Sequence, residues 1–424
     1  MAQATQVNDR PHTPLVSYAV KALKTNQLDG EHARDQLRFG LFGEIGGLLS
    51  LVKKEHRDLE PAEHNAITEE IGDALWYLAN VAHQYGTSLQ EAGIAAMHEL
   101  QRDLSIQREV PEEVAFEEFD ALLQLSKVKL TEPNKLTCMR QLAAHAGQLL
   151  SSASSETDLL SEAPQRLLGR LLADLAMVAA HFGQQLKDIA DSNIRKIQSR
   201  WPEEGAMHLP LFDEGGMEIE QFPREFDMHY TEVVPSNGGD PYAIQRLRGI
   251  NIGDRLTDNR ADPDGYRFHD VFHLAYMTHL GWSPVMRSLF KVKRKSNPKT
   301  DQNEDGARAG IIEEAISTLI FNHARARSFF ADKKPGRLNY DLLKEVHNMV
   351  SGYEVERCPL WQWELAILDG FAVFRELRKH GGGIVSVNLK TRKLTFAQGE
   401  RIFEPSPPPV AREPFVGALP PPGL

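Results

Sequence analysis

Apolar residues recur every three or four positions through the first half of the chain. Leu75, Leu78 and Ala82 belong to one such stripe, and this spacing predicts an amphipathic helix. The same pattern predicts four helices, at about 15–25, 36–54, 67–85 and 89–108. Between the third and the fourth, Gly86 is suited to end one helix and Ser88 to cap the next.

A second helical set resembles a degenerate copy of the first. The first set spans 13–108 and the second spans 119–204; within them, 169–183 aligns with 72–86, and 147–151 aligns with 46–50. Both aligned segments keep their first glycine and their order, as an internal repeat would. The alternative is that any two helices rich in leucine and alanine can be aligned.

The amino-acid composition of the chain changes after about residue 205. Residues 206–266 are rich in Pro, Gly, Asp and Asn with scattered aromatics, which predicts irregular, packed structure. Further helices are predicted around 308–330, 340–351 and 360–379. Alternation on both sides of a turn in 384–396 predicts a small β-hairpin, and the Pro-rich tail 405–424 is predicted to be extended or disordered. The fold class is therefore mainly α: a tandem helical bundle, then a mostly helical domain, 206–397, with one hairpin.

Composition narrows the classes of partner. The 424 residues include 48 basic and 59 acidic side chains, a formal net charge of −11, so nucleic acid is not an expected partner. The most basic run, 291–299, is suited to phosphates, although most short basic loops are simply solvated. Cys138 and Cys358 lack a metal-type spacing, which predicts a reduced protein. The sequence has neither a signal-peptide pattern nor an apolar run of membrane length, which predicts a cytoplasmic protein without a membrane partner.

Acidic side chains cluster at the polar edge of the predicted third helix. Glu70 and Asp73 are three residues apart, so they project from the same face of a helix. Together with Glu44 from the preceding helix, they offer the oxygen ligands that Mg²⁺ prefers. Taken alone, two acids at this spacing are more often the solvated face of an amphipathic helix.

Four short segments around these acids carry a wider pattern. They are LFGE at 41–44, LVKK at 51–54, RD at 57–58 and EEIGDALWYLA at 69–79. Together they resemble the MazG-like nucleoside triphosphate pyrophosphohydrolases, an all-α family with a Glu-x-x-Glu pair followed by a Glu-x-x-Asp pair. The resemblance implies that Glu44, Glu70 and Asp73 bind Mg²⁺, with Mn²⁺ as an alternative ion. It also implies hydrolysis of nucleoside triphosphates to a monophosphate and pyrophosphate. Gly47 occupies the position of the family's second acid.

The resemblance also implies residues that contact the substrate. The segment 193–202 resembles the Asn-x-x-Lys-x-x-x-Arg ending typical of the family, which implies that Asn193, Lys196 and Arg200 contact the phosphates or the base. Lys54 would help to offset the phosphate charge. The alternative is that Lys196 and Arg200 only solvate the last helical turn and favour its dipole. Family members usually pair two such units, so a homodimer is expected.

The two helical sets are not equivalent in their chemistry. At the positions aligned with Glu44, Glu70 and Asp73, the second set has His145, Leu167 and Arg170, so it lacks the same metal ligands. The first set has spare acids, and Glu69 or Glu55 is the candidate to orient the attacking water.

A second candidate site lies near residue 270. His269 and His273 are four residues apart, so on a helix both imidazoles face one side, a spacing that suits a separate divalent metal. Asp270 lies beside the first histidine, and Glu313 on a later helix is a further candidate for metal-assisted hydrolysis. Packing of the histidines among neighbouring aromatic residues is the alternative.

Two other functions stay open because Gly47 replaces an acid. The N-terminal bundle could sense nucleotides and regulate a metal-dependent hydrolase or effector in the C-terminal domain, in phage defence or a stress response. A structural helical scaffold is the third hypothesis, and it predicts neither nucleotide nor metal binding.

Overall fold

The computed structural model describes residues 13–399 except 29, 31, 60, 62, 127–130, 152–163 and 237. The Pro-rich segment 405–424 lies outside the described residues. The chain divides between Glu203 and Glu204 into two compact units. Among the described helices, none combines the length and the apolarity needed to cross a bilayer.

The described part of the N-terminal unit is entirely helical apart from turns and connections. Its eight α-helices are α1 (Leu15–Lys24), α2 (Ala33–Asp58), α3 (His64–Gln84), α4 (Leu89–Leu104), α5 (Phe116–Leu125), α6 (Glu132–Ser151), α7 (Pro164–His181) and α8 (Leu186–Arg200). Helix α2 packs on α3 and α6 packs on α7, while α3 also contacts α8 and α7 contacts α4. One hydrophobic core joins them, and Leu75, Leu78 and Ala82 of α3 are fully buried in it. The predicted stripe is therefore confirmed.

Local capping fixes where α4 and α8 begin. Ser88 caps α4 as predicted: its Oγ accepts from the Glu91 N–H (3.1 Å), and Glu91 Oε2 accepts from the Ser88 N–H (2.9 Å). Gly86, with φ of 70°, lies just beyond α3 as predicted. Asp120 of α5 accepts from the first two N–H groups of α8 at 2.7 Å and 3.1 Å, which satisfies donors that a helix start leaves unpaired.

The described part of the C-terminal unit combines helices with an antiparallel sheet. Its strands are β1 (Glu225–Val233), β2 (Tyr242–Leu247), β3 (Ile250–Leu256), β4 (Gly382–Asn388) and β5 (Lys393–Ala397). Its α-helices are α9 (Asp270–Leu280), α10 (Pro284–Phe290), α11 (Pro298–Asn303), α12 (Ala307–Arg325), α13 (Tyr340–Met349) and α14 (Leu360–His380). The strand order is β3-β2-β1-β4-β5. Helices α9 and α14 pack together and both contact β4 and β5, and every residue of α9 is buried.

The sheet confirms one sequence prediction and corrects another. The predicted hairpin is β4–β5, but it forms only one edge of a five-stranded sheet. The prediction of irregular structure over 206–266 is wrong for β1, β2 and β3. Phe226, Met228 and Tyr230 alternate along β1, and the last two are buried. Arg248 and Gly249 both have positive φ, 52° and 80°, as a two-residue hairpin turn requires. Pro- and Gly-rich flanks hid this alternation.

The basic run 291–299 is held against the rest of the C-terminal unit by the ion pairs of a buried arginine. Arg294 Nη2 lies 2.7 Å from Asp305 Oδ1 and 2.6 Å from Glu354 Oε1. Burial would lower the pKa of the guanidinium, but these two carboxylates outweigh burial and raise it. The arginine is therefore engaged inside the unit, so the run offers fewer cations to an external phosphate than its sequence suggests.

Candidate functional site

Glu44 and Glu70 meet where α2 packs on α3. The Glu44 carboxyl group donates a hydrogen bond to the Glu70 carboxylate. Burial, the nearby Asp73 and this hydrogen bond raise the pKa of Glu44 from 4.5 to about 8. Burial also raises the pKa of Glu70. The pair therefore holds a proton near neutral pH, because two adjacent carboxylates resist ionising together.

Gly47 makes room for this carboxyl pair. A Cβ atom at position 47 would lie 2.2 Å from Glu70 Oε2, whereas a Cβ at Gly46 or Gly43 would meet nothing within 4 Å. Glu70 therefore occupies the space that a side chain at position 47 would need. The carboxylate of Glu70 lies at the place where the side chain of the family's second acid would begin.

Asp73 is held by side chains of α8. Asn193 Nδ2 donates to Asp73 Oδ1 at 3.0 Å, and Lys196 Nζ lies 2.5 Å from Asp73 Oδ2 and 3.0 Å from Glu69 Oε1. The buried Tyr18 hydroxyl donates to Asn193 Oδ1 at 2.8 Å, so the amide presents its NH₂ group to Asp73. We refer to Glu69, Asp73, Asn193 and Lys196 as the α3–α8 seam.

The α3–α8 seam opens into a small cleft. The two helices approach closely at Gly72, where an added Cβ would lie 3.0 Å from Asn193 Cβ. The cleft has a volume of about 190 Å³ and is lined by Asn65, Thr68, Glu69, Ser192, Asn193 and Lys196. Its polar lining, with one acid and one ammonium group, suits a polar ligand more than an apolar one.

Lys54 and Glu55 lie well along α2 from the carboxyl pair. They are ten and eleven residues beyond Glu44, which corresponds to about 15–17 Å along a helix axis. Lys54 is exposed, and Glu55 Oε2 forms an ion pair with Lys135 Nζ of α6 at 2.8 Å. The structure therefore brings Glu69, and not Glu55, beside the other predicted site residues.

Arg200 ends α8 one turn beyond Lys196. It is buried, with 3% of its surface exposed, and its guanidinium lies 5.7 Å from the centre of the Trp201 ring. A buried and stacked arginine is not the simple solvating group that the alternative interpretation of this helix end assumed.

A second seam, between α4 and α7, carries the opposite arrangement of charge. Glu99 of α4 forms an ion pair with Arg102, and its carboxylate lies 3.5 Å from Arg166 Nε and 4.0 Å from Arg170 Nε of α7. Continuing the alignment of 169–183 with 72–86 in both directions pairs Lys196 with Glu99, and Arg166 and Arg170 with Glu69 and Asp73. We refer to Glu99, Arg166 and Arg170 as the α4–α7 seam. Near it, His145 Nδ1 lies 2.6 Å from Asp174 Oδ2.

The residues predicted around position 270 lie at the contact of α9 with α12. His273 Nδ1 lies 2.8 Å from Glu313 Oε1, and His269 Nε2 lies 3.1 Å from Asp270 Oδ1. Burial would lower the pKa of His273, but Glu313 and Glu314 outweigh burial and raise it.

Glu314 is a residue of this cluster that sequence reasoning missed. His269, His273 and Glu314 each offer a ligand atom, and these atoms lie within 4.8 Å of one another. The available signal was the Glu-Glu pair at 313–314, but the phase of α12 decides which carboxylate faces the imidazole Nε2 atoms.

Comparison with protein families relates the C-terminal unit to MazG. Residues 207–400 match the model of the MazG C-terminal domain. This match and the mainly α fold support a MazG-related protein. The matched residues belong to the C-terminal unit, whereas Glu44, Glu70 and Asp73 lie in the N-terminal unit. Comparisons with curated proteins and with solved structures gave no match.

Proposed function

We propose that this protein is a Mg²⁺-dependent nucleoside triphosphate pyrophosphohydrolase, releasing pyrophosphate and a nucleoside monophosphate. The observation that carries the proposal is the convergence of three carboxyl groups, because Glu44 and Glu70 share a hydrogen bond close to Asp73. The charge of Asp73 raises the pKa of both glutamates, and Lys196 offsets only part of this negative potential. Such a site gains most from a divalent cation.

The residues present fit Mg²⁺. The three side chains offer only oxygen atoms, the ligand type that Mg²⁺ selects, and it commonly takes one or two carboxylates together with substrate phosphates. Gly47 removes one family ligand, but the same position admits the Glu70 carboxylate close to α2. Glu44, Glu70 and Asp73 would hold the ion, which when bound would supply positive charge against the phosphate oxygens and make a water ligand more acidic.

The remaining side chains of the α3–α8 seam would position the substrate. Lys196 is placed to exchange its ion pair with Asp73 for one with a phosphate, and Asn193 offers an amide that Tyr18 already orients. Glu69 lies within reach of the same ammonium group and would accept the proton of the attacking water. Such positioning and charge stabilisation account for most of the catalysis of phosphoryl transfer.

Pyrophosphate release from a panel of ribo- and deoxyribonucleoside triphosphates with Mg²⁺ tests the proposal. Wild type should turn over, and Asp73→Ala should lose turnover while its circular dichroism stays unchanged. Asp58→Ala is the matched control, because Asp58 lies on the surface near the end of α2 and contacts Arg57. Turnover by Asp73→Ala at the wild-type rate would overturn the assignment.

A pair of glutamine variants sorts the two candidate bases. Glu69→Gln should lower kcat strongly, whereas Glu55→Gln should leave it near the wild-type value, since Glu55 forms an ion pair with Lys135. Equal losses in both variants would exclude Glu69 as the group that orients water. Nucleotide binding to wild type without any pyrophosphate release would instead support the sensor hypothesis.

A further inference from the structure

The start of α9 places two imidazoles on one side of a fully buried helix. His269 is 8% exposed and His273 is not exposed at all, and their four-residue spacing aligns them one turn apart. Buried histidines need partners for both ring nitrogens, because an unpaired buried polar atom is unfavourable. The partners of the four nitrogens therefore define what this place in the C-terminal unit can bind.

Both histidines use Nδ1 to donate to a fixed oxygen. His269 Nδ1 lies 2.8 Å from the carbonyl oxygen of Tyr266, and His273 Nδ1 lies 2.8 Å from Glu313 Oε1. The Tyr266 ring stacks on the His269 ring at 4.3 Å with 2° between the planes. These contacts keep a proton on Nδ1 of each ring, so Nε2 is the nitrogen that each ring can offer to a metal.

Glu313 is itself held in place, as a supporting group must be. Its Oε1 accepts from the Ser283 hydroxyl at 2.6 Å and its Oε2 accepts from the Val285 N–H at 2.8 Å. Together with His273 Nδ1, these donors provide hydrogen bonds to both oxygens of the Glu313 carboxylate. Glu313 therefore supports the imidazole from behind, as carboxylates do behind metal-bound histidines.

Both Nε2 atoms face a second carboxylate, Glu314. The distances to Glu314 are 3.4 Å from His273 Nε2 and 3.9 Å from His269 Nε2. Within the described residues, His273 Nε2 makes no hydrogen bond although it is buried. The two Nε2 atoms and the Glu314 carboxylate therefore offer three ligand atoms within 4.8 Å of one another.

We propose that His269 Nε2, His273 Nε2 and Glu314 form a binding site for a divalent transition metal of the Zn²⁺ type. Two imidazoles and one carboxylate favour Zn²⁺ and its neighbours over Mg²⁺. This inference goes beyond the proposed function, since it concerns the C-terminal unit and a different class of metal.

The surroundings of the cluster leave one side open for an exchangeable ligand. The side chain of Glu314 is 45% exposed, so an ion can enter from solvent. On the buried side, Asp270 lies 3.1 Å from His269 Nε2 and accepts a hydrogen bond from Gln245. The Tyr230 hydroxyl is buried near Asp270 and makes no hydrogen bond within the described part of the chain. Polar groups thus line the site beyond the three ligands.

Metal titration of the full-length protein tests the site. Chelator-treated protein carrying Asp73→Ala, which removes one of the three N-terminal acids, should bind one Zn²⁺ per chain tightly by calorimetry and should show visible absorption bands with Co²⁺. Excess Mg²⁺ should not displace the Zn²⁺. Glu314→Gln should weaken Zn²⁺ binding more than about 100-fold, since even a supporting group typically contributes about 10–100-fold.

A matched variant separates ligation from general charge loss. Glu376→Gln removes a similarly half-exposed glutamate of α14 that contacts Lys379 and His380, so it should leave Zn²⁺ affinity unchanged. Glu313→Gln should weaken binding about 10–100-fold through the His273 ring. Absence of Zn²⁺ binding in folded protein, or unchanged affinity in Glu314→Gln, would overturn the proposal and leave an imidazolium network in its place.

Discussion

The α3–α8 seam and the α4–α7 seam use the same kind of helix contact with opposite charges. In the first, Glu69 and Asp73 of α3 face Lys196 of α8. In the second, Arg166 and Arg170 of α7 face Glu99 of α4. Attraction between the helices survives the exchange of signs, because an ion pair works in either orientation. The proposed cation site would not survive it, because, of the two seams, only the first places its carboxylates next to Glu44 and Glu70.

This comparison separates two roles that a charged seam can have. Joining helices requires only opposite charges, whereas holding a metal requires an excess of acids on one side. If the helical sets are two copies of one unit, we infer that the second copy kept the first role and lost the second.

The largest effect is expected when the α3–α8 seam is given the charges of the α4–α7 seam. The triple variant Glu69→Arg, Asp73→Arg, Lys196→Glu should keep the helices paired but lose turnover by at least about 100-fold, equivalent to about 2.7 kcal/mol of transition-state stabilisation. Thermal unfolding and pyrophosphate release measure the two effects separately. The single variant Asp73→Arg, which sets two cations side by side, should be the less stable protein. Retained turnover in the triple variant would show that the acids of this seam are not needed.

The proton shared by Glu44 and Glu70 should make Mg²⁺ binding depend on pH. An acid must ionise to bind Mg²⁺, so apparent affinity should rise about tenfold per pH unit up to about pH 8, the pKa of Glu44. Without metal, the sign for folding is opposite. The folded protein retains a proton that the unfolded chain releases above its pKa of 4.5, so stability should fall between about pH 4.5 and 8. Calorimetric Mg²⁺ titrations check the first slope and denaturant unfolding without metal checks the second, each at several pH values with Glu44→Gln as control. Equal slopes in the two proteins would exclude Glu44.

A glycine pair on α2 offers a smaller and more local test. Gly47→Ala would bring a Cβ to 2.2 Å from Glu70 Oε2, whereas Gly46→Ala has open space. We expect Gly47→Ala to displace the Glu70 carboxylate and to weaken Mg²⁺ binding severalfold. Gly46→Ala should bind normally and unfold with up to about 1 kcal/mol more stability, since alanine is favoured over glycine in helices. Identical Mg²⁺ affinities would mean that the packing of Glu70 on Gly47 is unimportant.

The smallest expected effect belongs to the α4–α7 seam. Glu99→Gln should destabilise the fold by about 1 kcal/mol, because it leaves partly exposed arginines without their carboxylate. Turnover should not change, since this seam lies on other helices than the acids. Burial raises the pKa of Glu99, but the arginines outweigh burial and lower it, so its contribution should disappear as pH falls below its ordinary value. Denaturant unfolding at neutral and acid pH measures both; a drop in turnover would instead assign the seam a catalytic role.

Particular residues show how far the sequence could lead. The stripe of Leu75, Leu78 and Ala82 and the Ser88 cap were readable because their spacing and chemistry are local. Phe226, Met228 and Tyr230 occupy every second position of β1 and so follow an equally local pattern. The turn-forming residues around them nevertheless obscured this strand.

Side-chain pairing was harder to predict than helix position. The inverted signs at Glu99 and Arg170 were visible in the alignment, but their ion pair depends on which helices meet. The choice between Glu313 and Glu314 depends on the rotation of α12 about its axis, which two adjacent acids do not reveal. The role of Gly47 likewise became clear only once Glu70 lay against it.

Helix α9 differs from α2 in how freely its sequence can change. Only seven of the 26 residues of α2 are buried, along one stripe. Most positions of this helix are therefore at least partly exposed and can be substituted without disturbing the core. All eleven residues of α9 are buried, so this helix has no outward face on which neutral substitutions can collect. His273 lies inside this buried helix and His269 directly precedes it, so replacing either histidine would disturb the packing of the core. A chain that no longer needed them would have to rebuild that core before it could discard them.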